Sequence, residues 1–327
     1  MAENNKHLYS FVVPIYNEED GLSRFHNALS EVLKNDLKDD YEVIYCDDGS
    51  TDKSTSLVAE FCADNHKVKL LSLSRNFGKE SALAAGIAAA RGDAVIMLDG
   101  DGQHPVELIP KFISAWLKGS EVVIGVRVGN YNQGYIKKSG SRWFYRLFNK
   151  LTNQKLIPGS TDFRLIDKAV KNEFLKLEEN DRITRGLIDW LGFKREYISF
   201  EAGSRSSGAP GYSYKKLATL AANSFVSLTL TPLYIFGYLG VFITSSSFLL
   251  GLAVLVEQLL LNDPLNWHFT GTAMLGILTL FLVGIILLSQ GILSLYISHI
   301  HTQSKRRPLY IIDHKKSVGI NEKILSA

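Results

Sequence analysis

The chain has 327 residues, 46% of them hydrophobic, with a formal net charge of +3. That length suits one large domain or two ordinary ones, and so small a charge excludes nucleic acid as a partner drawn by bulk electrostatics. The two cysteines, Cys46 and Cys62, have no metal-ligand spacing and lie in apolar runs, which reads as buried thiols of a reducing compartment. The opening Met1-Ala-Glu-Asn-Asn-Lys6 has no apolar signal-peptide core, so this end is expected to stay in the cytoplasm.

Residues 8–15 form an apolar strand that ends near Pro14, and Asn17-Glu18-Glu19-Asp20 opens a helical pattern reaching about Asn35. A second strand, Tyr41 to Cys46, runs into Asp47-Asp48-Gly49-Ser50-Thr51-Asp52. Ser50 or Thr51 is placed to cap the next helix, with Asp52 favourable in its first turn. A third strand, Val68 to Leu73, gives way to Ser74-Arg75-Asn76-Phe77-Gly78-Lys79 and then to a small-residue helix from Glu80 to Arg91. The fourth, Val95 to Leu98, ends in Asp99-Gly100-Asp101-Gly102-Gln103-His104-Pro105, with Pro105 expected at the first position of the following helix. Glu121 to Val126 is a fifth strand. The alternation predicts an α/β fold with a parallel sheet covered on both faces.

Open α/β sheets bind ligands at the carboxyl ends of their strands. The first strand is followed by Pro-Ile-Tyr-Asn-Glu-Glu, where a dinucleotide fold would carry G-x-G-x-x-G. Acidic clusters follow strands two and four instead. A carboxylate repels phosphate unless a cation stands between them, so the Asp48 cluster reads as contacting hydroxyl-rich parts of a nucleotide. The pair Asp99 and Asp101 suits a hard cation, Mg²⁺ or Mn²⁺, holding a diphosphate. The plainer reading of both clusters is turn formation, for which Asp and Gly are the usual residues.

Val13-Pro14-Ile-Tyr16-Asn17-Glu18-Glu19, Asp47-Asp48-Gly-Ser-Thr-Asp52, Ser74-Arg-Asn-Phe-Gly78-Lys79 and Asp99-Gly-Asp101-Gly-Gln103-His-Pro resemble, in this order, family 2 glycosyltransferases of the GT-A fold. Gly159-Ser-Thr161-Asp162-Phe163-Arg164-Leu165 and Arg205-Ser-Ser-Gly208-Ala-Pro-Gly211-Tyr-Ser-Tyr narrow the resemblance to the polyprenyl-phosphate subgroup, which includes dolichyl-phosphate mannose synthases and bactoprenol glucosyltransferases. The resemblance covers essentially the whole chain. It implies that Pro14, Tyr16, Glu18 and Asp48 line the nucleotide pocket, with Lys79 at the donor. It further implies that Asp99, Asp101 and Gln103 surround the metal and the donor diphosphate. The family often has Asp-Ala-Asp-Leu-Gln here; this chain has glycine at both spacers.

The acceptor in that subgroup is a lipid phosphate, whose oxygen is already anionic at neutral pH and needs no strong base. Asp162 is therefore expected to orient the attacking oxygen, and with Asp101 and Arg164 to form the catalytic group. The alternative for Asp162 is an ion pair with Arg164 at the start of a helix. Arg127, just past strand five, and Arg205, in a glycine-rich loop, are the candidates for the acceptor phosphate, since a guanidinium fits that geometry. Residues 134–157 read as one amphipathic helix with Trp143, Phe144 and Leu147 against Lys137, Arg142 and Arg146; it suits an anionic membrane surface and equally an ordinary solvated face.

The expected organisation is a GT-A catalytic domain over residues 1–210, an interfacial amphipathic helix over 211–228, two transmembrane helices within 229–297 and a basic tail over 298–327. Thr229 to Val256 and Gly271 to Ile297 contain no charged residue, each longer than the ~20 residues a span needs. The loop 257–270 has no Lys or Arg, whereas Lys215, Lys216, Lys305, Arg306 and Arg307 flank the spans. This pattern puts the catalytic domain and the tail on the cytoplasmic side of a bacterial inner membrane. Gly237, Gly240, Gly251 and Gly284 would allow a homo-oligomer or packing within one chain.

The function expected is transfer of one sugar, with inversion, from a UDP-linked or GDP-linked donor to undecaprenyl phosphate or a similar polyprenyl phosphate. A processive polysaccharide synthase would carry Gln-x-x-Arg-Trp, and Arg182-Ile-Thr-Arg185-Gly-Leu-Ile-Asp-Trp lacks it. A non-catalytic membrane scaffold is the remaining alternative, and the intact Asp99–Gln103 stretch argues against it.

Overall fold

The computed structural model describes residues 6–37, 39–128, 159–179, 182–201, 242, 249, 271–304 and 307–320. They fall into two compact units, one holding residues up to 201 together with 307–320, the other holding the long helix at 271–304.

The first unit is a seven-stranded sheet in the order β3-β2-β1-β4-β6-β5-β7. Its elements are β1 (Leu8–Ile15), α1 (Glu19–Asn35), β2 (Asp40–Asp47), α2 (Ser54–Asp64), β3 (Val68–Ser72), α3 (Lys79–Ala89), β4 (Ala94–Met97), α4 (Ile109–Leu117), β5 (Val122–Arg127), β6 (Ser160–Asp167), α5 (Lys168–Leu175), α6 (Thr184–Trp190) and β7 (Arg195–Phe200). Strand side chains alternate between two cores, as the pleat requires. Phe11, Val13 and Ile15 of β1 join Leu22, Phe25, Leu29 and Leu33 of α1 on one face, while Val12 joins Ala82, Leu83, Ala85 and Ile87 of α3 on the other. The spacing 22, 25, 29, 33 is one stripe of an amphipathic helix.

The small residues of α3 let it lie close to the sheet. A Cβ built at Gly86 would meet Cys46 Sγ and Val12 Cγ1, both at 2.4 Å. Both cysteines are free and buried, as their apolar surroundings suggest.

Three features differ from the sequence reading. The sheet is mixed, because β6 runs antiparallel between β4 and β5. Thr161-Asp162-Phe163-Arg164 therefore lies on a strand in mid-sheet, which rules out the helix-start alternative. Second, α2 begins at Ser54 after Lys53, so Ser50 and Thr51 do not cap it. Third, Pro105 precedes a short 3-10 turn at Val106–Leu108, which leads into α4.

Within the basic tail read over residues 298–327, residues 307–320 fold against the outer edge of β3. Leu70 N–H donates to Val318 O and Val318 N–H to Leu70 O, at 3.0 and 2.8 Å. Asp313 N–H donates to Ser72 O, and Ser74 N–H to Ile311 O. Tyr310, Ile312 and Ile320 pack against the same core as α3. An exposed strand edge offers unpaired backbone groups, and this strap satisfies those of β3.

The second unit's described helix, α7 (Gly271–Ser304), has 34 residues. It contains no Asp, Glu, Lys or Arg. Leu275, Ile286, Leu293, Leu295, Ile297 and Ile300 are exposed on it. Many of its side chains between 273 and 303 lie outside the description, and among the described residues no helix is long and apolar enough to cross a membrane. Of the first expected span only Phe242 and Leu249 are described, both helical.

Candidate active site

The strands β1, β2 and β4 are parallel and end on one edge of the sheet, and the loops that follow them are stitched together. Asn17 has φ 54°, a left-handed conformation that Asn tolerates better than most residues. Its Oδ1 accepts from Thr51 N–H at 2.9 Å, and its own N–H donates to Ser50 Oγ at 3.0 Å. Glu18 N–H donates to Ser54 Oγ, and Glu19 N–H to Asp52 Oδ2. Ser50, Thr51 and Asp52 thus secure the loop after β1. Tyr16 is exposed at this mouth, and Pro14 sits opposite Cys46 in the β1–β2 ladder.

Asp47 and Asp48 divide their roles. Asp47 is buried and accepts from Ser50 N–H, Thr55 Oγ and Ser72 Oγ. Asp48 is also buried, and reaches the loop after β3. Its Oδ1 accepts from Phe77 N–H at 2.7 Å and its Oδ2 from Gly78 N–H at 2.9 Å. Burial pushes its carboxyl up, against the pull of those two amides. Gly78, at φ 100°, adopts a conformation other residues rarely reach. Gly49, at φ 71°, lies so close that a Cβ there would stand 2.6 Å from Arg75 C. Asp48, read from the sequence as a nucleotide contact or a turn former, is thus the anchor of the loop that carries Lys79.

The β4–β6 register pairs Met97 with Arg164. Extended two residues beyond, that antiparallel ladder sets Asp99 across from Asp162. The Lys79 ammonium bridges them, 2.7 Å from Asp99 Oδ1 and 2.8 Å from Asp162 Oδ2. Burial raises the Asp162 carboxyl, but Lys79 outweighs it, helped by Arg185 and Arg164, and holds the group below the ordinary carboxylate range. Asp162 is therefore a carboxylate at neutral pH.

Asp101 and Gln103 form a tight turn. Asp101 Oδ1 accepts from Gln103 N–H at 3.0 Å and its Oδ2 from the Gln103 amide at 2.8 Å. Arg127 Nη1 donates to Gln103 Oε1 at 3.2 Å, which brings the end of β5 to the same spot. Beneath them His104 is buried and stacks on Phe163, with centroids 5.3 Å apart. Burial, aided by Lys79, lowers its pKa despite the nearby carboxylates. Its Nδ1 accepts from Asp99 N–H at 3.0 Å, so the neutral ring carries its proton on Nε2, 3.9 Å from Asp99 Oδ2.

Arg164 is placed differently from the expectation. It is 1% exposed, on the central strand β6. Nε donates to Thr161 O, Nη1 to Arg185 O and Asp189 Oδ1, and Nη2 to Ser160 Oγ and Asp189 Oδ2. A guanidinium has five N–H groups, and all are engaged here, so none is left for a phosphate. Its ion-pair partner is Asp189 of α6 at 2.9 Å, where the sequence alternative had offered Asp162. Arg164 locks α6 to β6 and fixes the segment from which Asp162 projects.

The structure thus brings together Asp99, Asp101, Gln103, Asp162, Lys79 and Arg127, with Pro14, Tyr16, Glu18 and Asp48 at the neighbouring strand ends. Arg205, the 134–157 helix and the 211–228 helix lie outside the described residues. His104 and Asp189 had not been singled out; a histidine inside the acidic turn was the available signal for the first, while the second is 25 residues from its partner and left none.

Among the described residues there is no group of three or more His, Cys, Asp or Glu side chains arranged to hold a metal ion. A hard divalent cation nevertheless fits this donor set. Asp99, Asp101 and Gln103 offer oxygen ligands, and a cationic group, the Lys79 ammonium, already lies between Asp99 and Asp162.

Residues 10–174 match the model of "Glycosyl transferase family 2". The chain is 35% identical to an uncharacterized glycosyltransferase, YkcC, of Bacillus subtilis (strain 168), over 98% of each chain. It is 34% identical to the "Bactoprenol glucosyl transferase" of Shigella phage SfV, over 94% of this chain and 98% of that one. It is 32% identical to a "Prophage bactoprenol glucosyl transferase homolog" of Escherichia coli (strain K12), over 94% of this chain and 99% of that one. A mixed α/β sheet with this acidic mouth, matched over half its length by the family model and nearly end to end by such relatives, makes the chain a member of the family 2 glycosyltransferases.

Proposed function

We propose that this enzyme transfers one sugar from a nucleotide-sugar donor, UDP-linked in the first instance, to undecaprenyl phosphate or a similar polyprenyl phosphate, with inversion at the anomeric carbon. The carrying observation is the facing pair Asp99 and Asp162 at the mouth of the sheet, with Asp101, Gln103 and Arg127 beside them. The acceptor class is supported by the near full-length likeness to relatives named for bactoprenol glucosyl transfer.

Asp99, Asp101 and Gln103 would hold Mg²⁺ or Mn²⁺, which when bound offsets charge on the departing diphosphate. Tyr16 and Glu18, with the loop anchored by Asp48, frame the nucleoside. The Asp162 carboxylate orients the acceptor head; an anionic phosphate oxygen needs direction more than deprotonation. Arg127 offers a guanidinium to phosphate at the same mouth.

The setting we propose is the cytoplasmic face of a bacterial inner membrane. Support comes from the uncharged runs 229–256 and 271–297, from the basic residues that flank them, and from the apolar side chains exposed along α7. The experiment is a panel of radiolabelled nucleotide sugars offered to the purified full chain with polyprenyl phosphate. Label is expected in an acid-labile, organic-extractable lipid, and Asp101→Asn is expected to abolish it. Label in high polymer, or undiminished turnover by the variant, refutes the reading.

A further inference from the structure

We propose that Lys79 is a built-in counter-ion which holds Asp99 and Asp162 together when no divalent ion is bound, competes with that ion for Asp99, and then moves to the donor's diphosphate. The inference rests on the proposed metal role of Asp99 and Asp101 and adds a second role for their neighbour.

Four observations carry it. The ammonium sits between two carboxylates on different elements, at 2.7 and 2.8 Å. Those carboxylates face each other across a sheet mouth and would repel without a cation between them. The nearby guanidinium of Arg164 cannot substitute, because its N–H groups are all engaged elsewhere. The Lys79 side chain itself is 45% exposed, so its four-carbon stem has a way out of the gap into solvent.

A divalent ion reaching Asp99 would find a like charge bound to the same carboxylate, and at that separation the two repel strongly. Lys79 must therefore leave for the ion to bind tightly. It heads α3, next to Gly78, whose N–H is fixed by Asp48. Its base is thus held while its stem can turn. The anion a displaced ammonium would meet at this mouth is the diphosphate, for which lysine serves as a point charge. One side chain would then weaken ion binding in the empty site and strengthen donor binding in the loaded one.

The test is Lys79→Met, which keeps most of the stem and removes the charge, with Lys79→Arg as the variant that keeps the charge. Mn²⁺ binding to the full chain without nucleotide is read by electron paramagnetic resonance. UDP binding in saturating Mn²⁺ is read by calorimetry. Lys79→Met is expected to bind Mn²⁺ about tenfold more tightly or better and UDP about tenfold more weakly, while Lys79→Arg binds Mn²⁺ as weakly as the native chain. A lysine that merely supports the fold would move both affinities in the same direction. Unchanged or weaker Mn²⁺ binding by Lys79→Met overturns the inference, provided Asp101→Asn weakens Mn²⁺ binding in the same assay. Should Asp101→Asn leave Mn²⁺ binding intact, the metal site and the inference fall together.

Discussion

Arg164 gives the sharpest test of how this site is built. Sequence reasoning places it in the catalytic group with Asp162 and Asp101, and the structure engages all its N–H groups with protein acceptors. Arg164→Lys keeps the charge and supplies three donors in place of five. At least two charge-assisted hydrogen bonds are lost in a side chain that is 1% exposed. Losing them, with Asp189 left poorly paired, is expected to cost about 3–5 kcal/mol. For a unit of this size that lowers Tm by about 10 °C, at about 2–4 °C per kcal/mol. The assay is thermal unfolding of the purified chain followed by tryptophan fluorescence, with donor binding measured well below the transition. Asp189→Ala should destabilise comparably, because it strands the same guanidinium, and the double variant should cost less than the sum. Unchanged Tm in Arg164→Lys, together with a large loss of turnover, would refute the argument and return Arg164 to the substrate.

Three further outcomes are expected. Gly49→Ala places a Cβ 2.6 Å from Arg75 C at a φ of 71°, so it should displace the loop carrying Lys79 and weaken UDP binding severalfold, measurable by calorimetry. Glu42→Gln removes a buried carboxylate held by Lys69 at 2.5 Å and by Ser10 at 2.6 Å; stranding the buried ammonium is expected to cost about 3–5 kcal/mol in thermal unfolding. Burial pushes the Glu42 carboxyl up, but Lys69, Ser10 and the Arg91 N–H outweigh it and lower its pKa from 4.5. Its stabilising contribution is therefore complete above pH 4.5 and lost as pH falls through the lowered value, and the variant should lack that part of the acid slope. A chain ended at Ser304 loses the strap, so hydrogen exchange should quicken at the Leu70 and Ser74 amides; undiminished protection at both would deny the strap a role in holding β3.

The strands β1 to β5 were legible because each is a short apolar run closed by Gly, Pro or Asp, and buried parallel strands write that signal locally. The acidic turns were legible for the same reason: Asp99-Gly-Asp101-Gly-Gln103 needs no partner elsewhere to be seen. Strand β6 was not, because Ser160-Thr-Asp-Phe-Arg carries polar residues into mid-sheet, and only the pairing of Arg164 with Asp189 makes that burial tolerable. The basic composition of the tail likewise hid the alternation of Tyr310 and Ile312, whose partner edge lies more than two hundred residues away in sequence. By itself the sequence determined which residue types line the mouth. Only the tertiary structure decided which of them face one another, because a register between distant strands set Asp162 against Asp99, while the demand that a buried guanidinium satisfy its donors turned Arg164 inward.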